Sequence, residues 1–538
     1  MQSPPLIVNP CSFRFLFLVL AFALGSCGPV SDRADFVIIN GAEPESLDPA
    51  LITGQAECRI TNSLFEGLTA TDASGTPQPG MAERWEISGD GLTYTFHLRK
   101  NARWSNGDPL TSADFLNSWR RTLLPATASE YSYQLHYIKN AKAFNEGTLT
   151  DFSQVGLRAP DPWTFEVTLN SPTPFWLDLC AFTTLLPVHI PSVEAAARSG
   201  ESFIKPGNLI TNGAYILKAW RLADRIRLEK NPLYWNAAKV GMKTIDILPT
   251  DKPMTAFNLY ATGAADMVID KGLAPPTLME QLKKRPDFHS APLLGNYFIR
   301  FNSTRKPFND PRVRLAFSLV IDKPYLCEKI TRAGEVPADS FVPHNTAGYQ
   351  PPTGLARDPE RARKLLAEAG FPGGTGFPIM YYLYKSGADI DANIAVELQA
   401  TFKRELGVNI QLAQQEWKVY LNSLSNLDYD LCRSSWIGDY KDANTFMDMF
   451  VTGGGNNQTG WSNKTYDQLI AAAGKELDTQ KRFALFRQAE RILVSEEATI
   501  CPLFYYVGIQ LYDETRLGGI EANLIDDHPL KSMYWKKR

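Results

Sequence analysis

Residues 80–115 read GMAERWEISGDGLTYTFHLRKNARWSNGDPLTSADF, and within them Leu92, Tyr94, Phe96 and Leu98 occupy every second position. A strand turns successive side chains to opposite faces, so this spacing predicts a strand with one face in a core. WTFEVTLNSP repeats the pattern with Trp163, Phe165, Val167 and Leu169, and Phe36 to Ile39 form a shorter apolar run before a Pro-punctuated loop. Elsewhere the period lengthens. In DPERARKLLAEAG, Asp358 stands at an N-cap, Pro359 at the first helical position and Gly370 just past the last turn, which predicts a helix between them. Tyr466, Leu469, Ile470 and Ala473, then Phe483, Phe486 and Leu493, keep helical spacing, and ICPLFYYVGIQLY (500–512) returns to strand character. Strands and helices are mixed throughout, with no internal repeat and no low-complexity linker. This predicts an α/β protein whose domains are interleaved.

At 538 residues the chain has room for about two to four domains. Its formal charge of −3 carries no basic excess and no long Lys/Arg run, which argues against nucleic acid as a partner. At the N-terminus, Arg14 precedes an apolar run from Phe15 to Leu24. That run is too short for the ~20 residues of a bilayer-spanning helix but fits the ~7–15 of a signal-peptide core. LGSC follows, ending at Cys27, and resembles the bacterial lipoprotein box, whose cysteine is acylated and becomes the new N-terminus. The expectation is a lipoprotein signal peptide over 1–27 and a lipid anchor at Cys27. The body would be held at the cell envelope on the extracytoplasmic side, the periplasm if the cell is Gram-negative. Several acyl chains are needed for stable anchoring, since one holds only marginally.

Chemistry-bearing motifs are sparse. Cys58, Cys180, Cys327, Cys432 and Cys501 are scattered without a C-x-x-C pair, which argues against a disulfide framework or zinc site. Six histidines lie far apart with no H-E-x-x-H, so no metal centre is expected. GNNQTGWS, from Gly455, has the two-glycine frame of a P-loop but places Trp461 where the phosphate-binding lysine belongs. Ser202 and Lys205 match S-x-x-K without a later S-D-N or K-T-G. The balance favours binding over catalysis, an exported peptide or cell-wall hydrolase using Ser202 and Lys205 being the alternative.

One ordered set of stretches is more specific: EPESLDP (43–49), NSLFEGL (62–68), residues 80–115, TNGAYILKAW (211–220), LEKNPLYWN (228–236), PFNDPRVRLAFSLVIDK (307–323), QQEWKVYL (414–421) and CRSSWIGDYKDANTF (432–446). Together they resemble solute-binding protein family 5, the extracytoplasmic oligopeptide, dipeptide and nickel receptors of ABC importers. The resemblance implies a periplasmic binding protein-like fold of class II, cluster C, with two hinged lobes and an extra domain. It places lobe I in 28–65, 190–290 and 505–538, the extra domain in 66–189 and lobe III in 291–504. It also implies a monomer without cofactor or metal that captures short peptides by lobe closure and passes them to an ABC permease and its ATPase. A nickel-chelate, heme or opine receptor on the same fold is the neighbouring reading.

Site residues follow from the same resemblance. Asp439 matches the family's aspartate for the peptide α-amino group, and an ammonium buried without a carboxylate would cost several kcal/mol. The peptide backbone would pair with main chain at Ser434, Ser435, Trp436 and Ile437 and at Thr53, Gly54 and Gln55 of ITGQ. Trp436, Trp417 and Tyr131, with Tyr505 or Tyr506, would line hydrated side-chain pockets. At the carboxylate end Arg433 matches one of several graded cations, while three others read Thr331, Asp391 and Leu424, with Lys329 near the first. Arg433 is therefore the expected C-terminal anchor, and peptides near tripeptide length the expected ligands.

Overall fold

The computed structural model describes residues 33–386 and 389–537, so the expected signal peptide and Cys27 lie outside the described residues. Residues 34–538 make one unit. A mixed sheet of eleven strands runs through it. From one edge its main path is Ile410–Gln415, Met380–Lys385, Leu431–Ile437, Phe288–Phe301, Ile500–Tyr512, Met267–Ile269, Phe36–Ile39, Thr244–Leu248, Arg225–Lys230 and Tyr215–Arg221. Two strands in the middle are far longer than the rest. Phe288–Phe301 and Ile500–Tyr512 pair antiparallel from Phe288↔Leu511 to Arg300↔Ile500, with irregular register between Pro292 and Asn296 and again between Tyr297 and Phe298. These two strands carry the chain between the halves of the sheet, and bulges of this kind bend a ribbon and increase its twist.

The alternation that begins at Leu92 forms part of a separate antiparallel sheet, ordered Ala82–Ile87, Thr93–Leu98, Thr164–Thr168 and Leu157–Asp161. Tyr94 faces Val167 and Phe96 faces Phe165 across the ladder, all four buried, while the intervening Thr95 and Glu166 are half-buried. Helix Ser112–Leu123 covers this face. A capping box between Thr111 and Asp114 starts it, and Phe115, Trp119 and Leu123 recur every four residues on its buried side. Trp119 meets Phe165 and Trp176 edge to face at 5.2 and 6.0 Å. The same hydrophobic core continues without a break to Phe36, Ile245 and Met267 of the large sheet.

The expected helix at 359 runs Pro359–Glu368, with Asp358 accepting the Arg361 N–H. The helical spacing after Tyr466 resolves into Lys464–Ala473 and Thr479–Glu490, the second running on through a π-helical turn, Arg491–Glu496. The five cysteines of the described residues are free thiols. No helix among those residues is long and apolar enough to cross a membrane.

The turn after strand Leu431–Ile437 is pinned from this helical layer. Arg482 donates to both oxygens of Asp442 at 2.7 and 2.8 Å, and both residues are buried. Removing one partner of such a pair strands the other charge. Asp442→Ala should therefore cost about 3–5 kcal/mol, measured as a loss of stability in denaturant unfolding. An unchanged midpoint would show that the pair does not hold the turn.

Candidate functional site

Strand Leu431–Ile437 is laddered on one side only along most of its length. Its antiparallel partner Phe288–Phe301 covers it from Leu431 to Ile437, with Arg433 opposite Ile299, Ser435 opposite Tyr297 and Ile437 opposite Gly295. On the other side the parallel strand Met380–Lys385 pairs with Leu431 and Cys432 and stops. Among the described residues, the edge from Arg433 to Ile437 has no ladder partner there. Unpaired strand edges are templates for another extended chain.

This edge borders a cleft of about 490 Å³. Ser435, Trp436 and Ile437 line it, as do Thr53 and Gln55 at the start of helix Gln55–Leu64. Tyr131, Trp417 and Asp439 are further expected residues on its wall. Three expected residues do not line the wall with their side chains: Gly54 is the N-cap of its helix, and Ser434 and Arg433 are buried, although the main chain of both lies on the open edge. The Tyr505 hydroxyl is engaged by Ser340 and Asp339, and Lys329 is exposed away from the wall. Ser202 and Lys205 are exposed and outside the cleft.

The Asp439 carboxylate stands on the wall just past the strand. Gly438 N–H donates to Leu294 at 2.7 Å and Asp439 N–H to Thr445 Oγ1 at 3.2 Å, which fixes the turn. Asp439 Oδ2 accepts from Gln134 Nε2 at 3.0 Å and Tyr133 Oη at 3.2 Å. Burial raises its pKa to about 7 against those two hydrogen bonds. The adjoining Asp448 is likewise raised to about 7, by burial and by the charges of Asp439 and Asp442. Tyr440 stacks on Phe175 at 4.0 Å and meets Tyr137 through its hydroxyl. Tyr131 packs between Tyr133 and Phe182, 5.5 Å from each, so the carboxylate sits beside an aromatic wall.

At the other end, Arg433 Nε donates to Asp391 Oδ1 at 3.3 Å, and its guanidinium lies 5.0 Å from the Tyr297 ring centroid. Among the described residues, Nη1 and Nη2 make no hydrogen bond. Trp417 stacks on Tyr420 at 5.7 Å, and the Tyr420 hydroxyl donates to the Arg433 carbonyl.

Several wall residues were not singled out from the sequence. Arg59, held by Asp526 at 3.3 Å and Asp270 at 3.7 Å, reaches the wall from the helix after Gln55. Asp178 and Lys441 also line it, with burial raising Asp178 to about 6. Tyr133 and Gln134 lie two and three residues after Tyr131 in TASEYSYQL, so their signal was local. Arg59 had no comparable signal, because its partners come from residues 270 and 526.

The family model for bacterial extracellular solute-binding proteins, family 5, matches residues 76–458. The periplasmic oligopeptide-binding protein OppA of Salmonella typhimurium is 35% identical over 515 residues, 94% of this chain and 93% of its own. Two solved structures superpose on nearly the whole chain. A periplasmic oligopeptide-binding protein of Borrelia burgdorferi gives a TM-score of 0.82 at 32% identity, covering 94% of this chain and 100% of that one. The murein tripeptide binding protein MppA of Escherichia coli gives 0.81 at 33% identity, covering 94% and 99%. The fold is thus that of the periplasmic binding proteins, and the chain belongs to the bacterial extracellular solute-binding proteins of family 5, which bind solutes and are not enzymes.

Proposed function

We propose that this protein is the lipid-anchored receptor of an ABC peptide importer, capturing short peptides between its lobes and delivering them to a membrane permease and its ATPase. The observation that carries the reading is the half-open strand Leu431–Ile437, with a carboxylate past one end and a guanidinium at the other. A peptide laid along this edge gains main-chain hydrogen bonds that are blind to its side chains, its ammonium meets Asp439, and its carboxylate goes toward Arg433. A three-residue extended peptide covers about 10 Å and the six-residue step from Arg433 to Asp439 at most about 20 Å, the two side chains closing the difference. Ligands near tripeptide length suit that span. The Escherichia coli relative MppA is a murein tripeptide binding protein, which is in keeping with it.

In this reading lobe I comprises 28–65, 190–290 and 505–538, the extra domain 66–189 and lobe III 291–504. The long strands Phe288–Phe301 and Ile500–Tyr512 are the hinge, flexing at their irregular register. Cys27 carries the lipid. Changing Cys27→Ser should move the protein from the membrane fraction to the soluble extracytoplasmic fraction, and continued membrane retention would remove the anchor from this account.

The direct test is to denature the purified protein and identify what is released by mass spectrometry. Peptides clustered at a few residues in length are the expected result, and a single non-peptide solute would overturn the peptide assignment. Asp439→Asn should weaken peptide binding by about 3–5 kcal/mol, because the ligand ammonium then has no carboxylate. The pH dependence has a definite sign. Asp439 is raised to about 7 in the unliganded cleft, and a bound ammonium favours its ionised form. Affinity should be full above that value and fall as pH drops through it, by up to about tenfold per unit. Above about 8 the peptide's own α-amino group loses its proton and affinity falls again. Calorimetric titration between pH 5.5 and 9 measures both limbs, and a flat profile would deny Asp439 its role.

A further inference from the structure

The arginine end of the free strand edge holds more charge than the sequence displays. Arg433 already has a carboxylate. Its Nε lies 3.3 Å from Asp391 Oδ1, and the two residues are only 8% and 1% exposed. Close by, Lys385 ends the strand that stops short of this edge, and its ammonium lies 5.5 Å from the ring centroid of Trp417, which lines the cleft. Among the described residues, Lys385 Nζ makes no hydrogen bond and no ion pair. Burial and the neighbouring Arg433 hold its pKa below the usual lysine range, with Asp391 opposing them. Two acceptors here are also without partners: Asp391 Oδ2, and Oε1 of Gln415, which sits directly beside Lys385 in the parallel ladder. Buried polar atoms are nearly always satisfied, so the unpaired ammonium calls for an acceptor such as a carboxylate, while the two unpaired acceptors call for a donor such as water.

The charge balance identifies which cation that carboxylate meets. Lys271, 3.7 Å from the Tyr506 ring centroid, also feels Arg433, but Asp270 and Asp526 answer it together with Arg59. Arg433 is answered by Asp391. Arg433 and Lys385 together face the single carboxylate of Asp391, which leaves one positive charge at this end unmatched among these groups. A buried charge without a counterpart is costly, and a ligand that supplies one is bound by the difference.

We propose that Lys385 supplies the net positive charge that recognises the carboxylate end of the ligand, while Arg433, neutralised by Asp391, orients that carboxylate through its free Nη1 and Nη2. This rests on the reading of the ligand as a short peptide. It assigns the selection for a free C-terminus to a residue outside the aligned set of cations, and it gives Asp391 a task. Asp391 keeps Arg433 from being a strong anchor on its own.

The test compares a tripeptide bearing a free C-terminal carboxylate with the same tripeptide amidated, by calorimetric titration into the purified protein. The parent protein should prefer the acid by at least about tenfold. Lys385→Gln should lose most of its affinity for the acid and narrow the preference to a few-fold, the remainder coming from the Arg433 N–H groups. Adding Asp391→Asn to Lys385→Gln should restore the preference, because Arg433 then becomes the unbalanced cation. Asp391→Asn alone, which leaves two unbalanced cations, should raise the preference above the parent's. An undiminished preference in Lys385→Gln overturns the proposal while leaving the peptide reading intact. Failure of the parent protein to bind either peptide overturns the peptide reading and the proposal with it.

Discussion

Backbone amides and carbonyls must find partners wherever water is restricted, and the Leu431–Ile437 strand meets that demand on one side only. Its central neighbour saturates one edge over seven residues. Its parallel neighbour retreats after two, and the chain then leaves the sheet at Gly438 to place Asp439. The edge so exposed lies inside a cleft and not on the outer surface, where an open strand would invite pairing with other copies. The rest of the site is arranged around this geometry. The Asp442–Arg482 pair holds the turn, Tyr420 ties the strand to Trp417, and the aromatic residues around Tyr131 close the carboxylate end.

The two ends of the edge carry opposite electrostatic problems. At one, burial raises the Asp439 carboxyl toward neutral pH, and Gln134 and Tyr133 donate to it without bringing a positive charge. The end is ready for a cation because nothing has yet compensated the anion. At the other, aspartates have compensated most of the cations, and the Lys385 ammonium behind Trp417 has no ion pair among the described residues. A zwitterionic ligand fits that asymmetry better than a singly charged one. The cysteines contribute nothing to either end, burial holding the thiol of Cys58 at the wall up to about 11.

The long strands relate the site to the fold. Phe288–Phe301 pairs with Leu431–Ile437 along the cleft and with Ile500–Tyr512 on both sides of its register irregularity, so the strand supporting the open edge is also a connection between the sheet halves. A change at the register irregularity near Asn296 would be felt directly at Trp436, its partner across the ladder.

What the sequence determined by itself was local or collinear. The period of two in Tyr94 and Phe96 set a strand, Asp358 and Pro359 set a helix start, and the order of short stretches along the chain set the family and pointed to Asp439 and Arg433. Those signals survive in one dimension because they depend on neighbours within a few residues, or on order alone. Tertiary structure decided the partners. That Arg433 would be neutralised by Asp391, that Lys385 would stand unpaired over Trp417, and that Arg59 would be held from residues 270 and 526 are consequences of strands meeting from distant parts of the chain. The strength of a charge in a cleft depends on what lies within a few ångströms of it, and sequence separation carries no record of that distance.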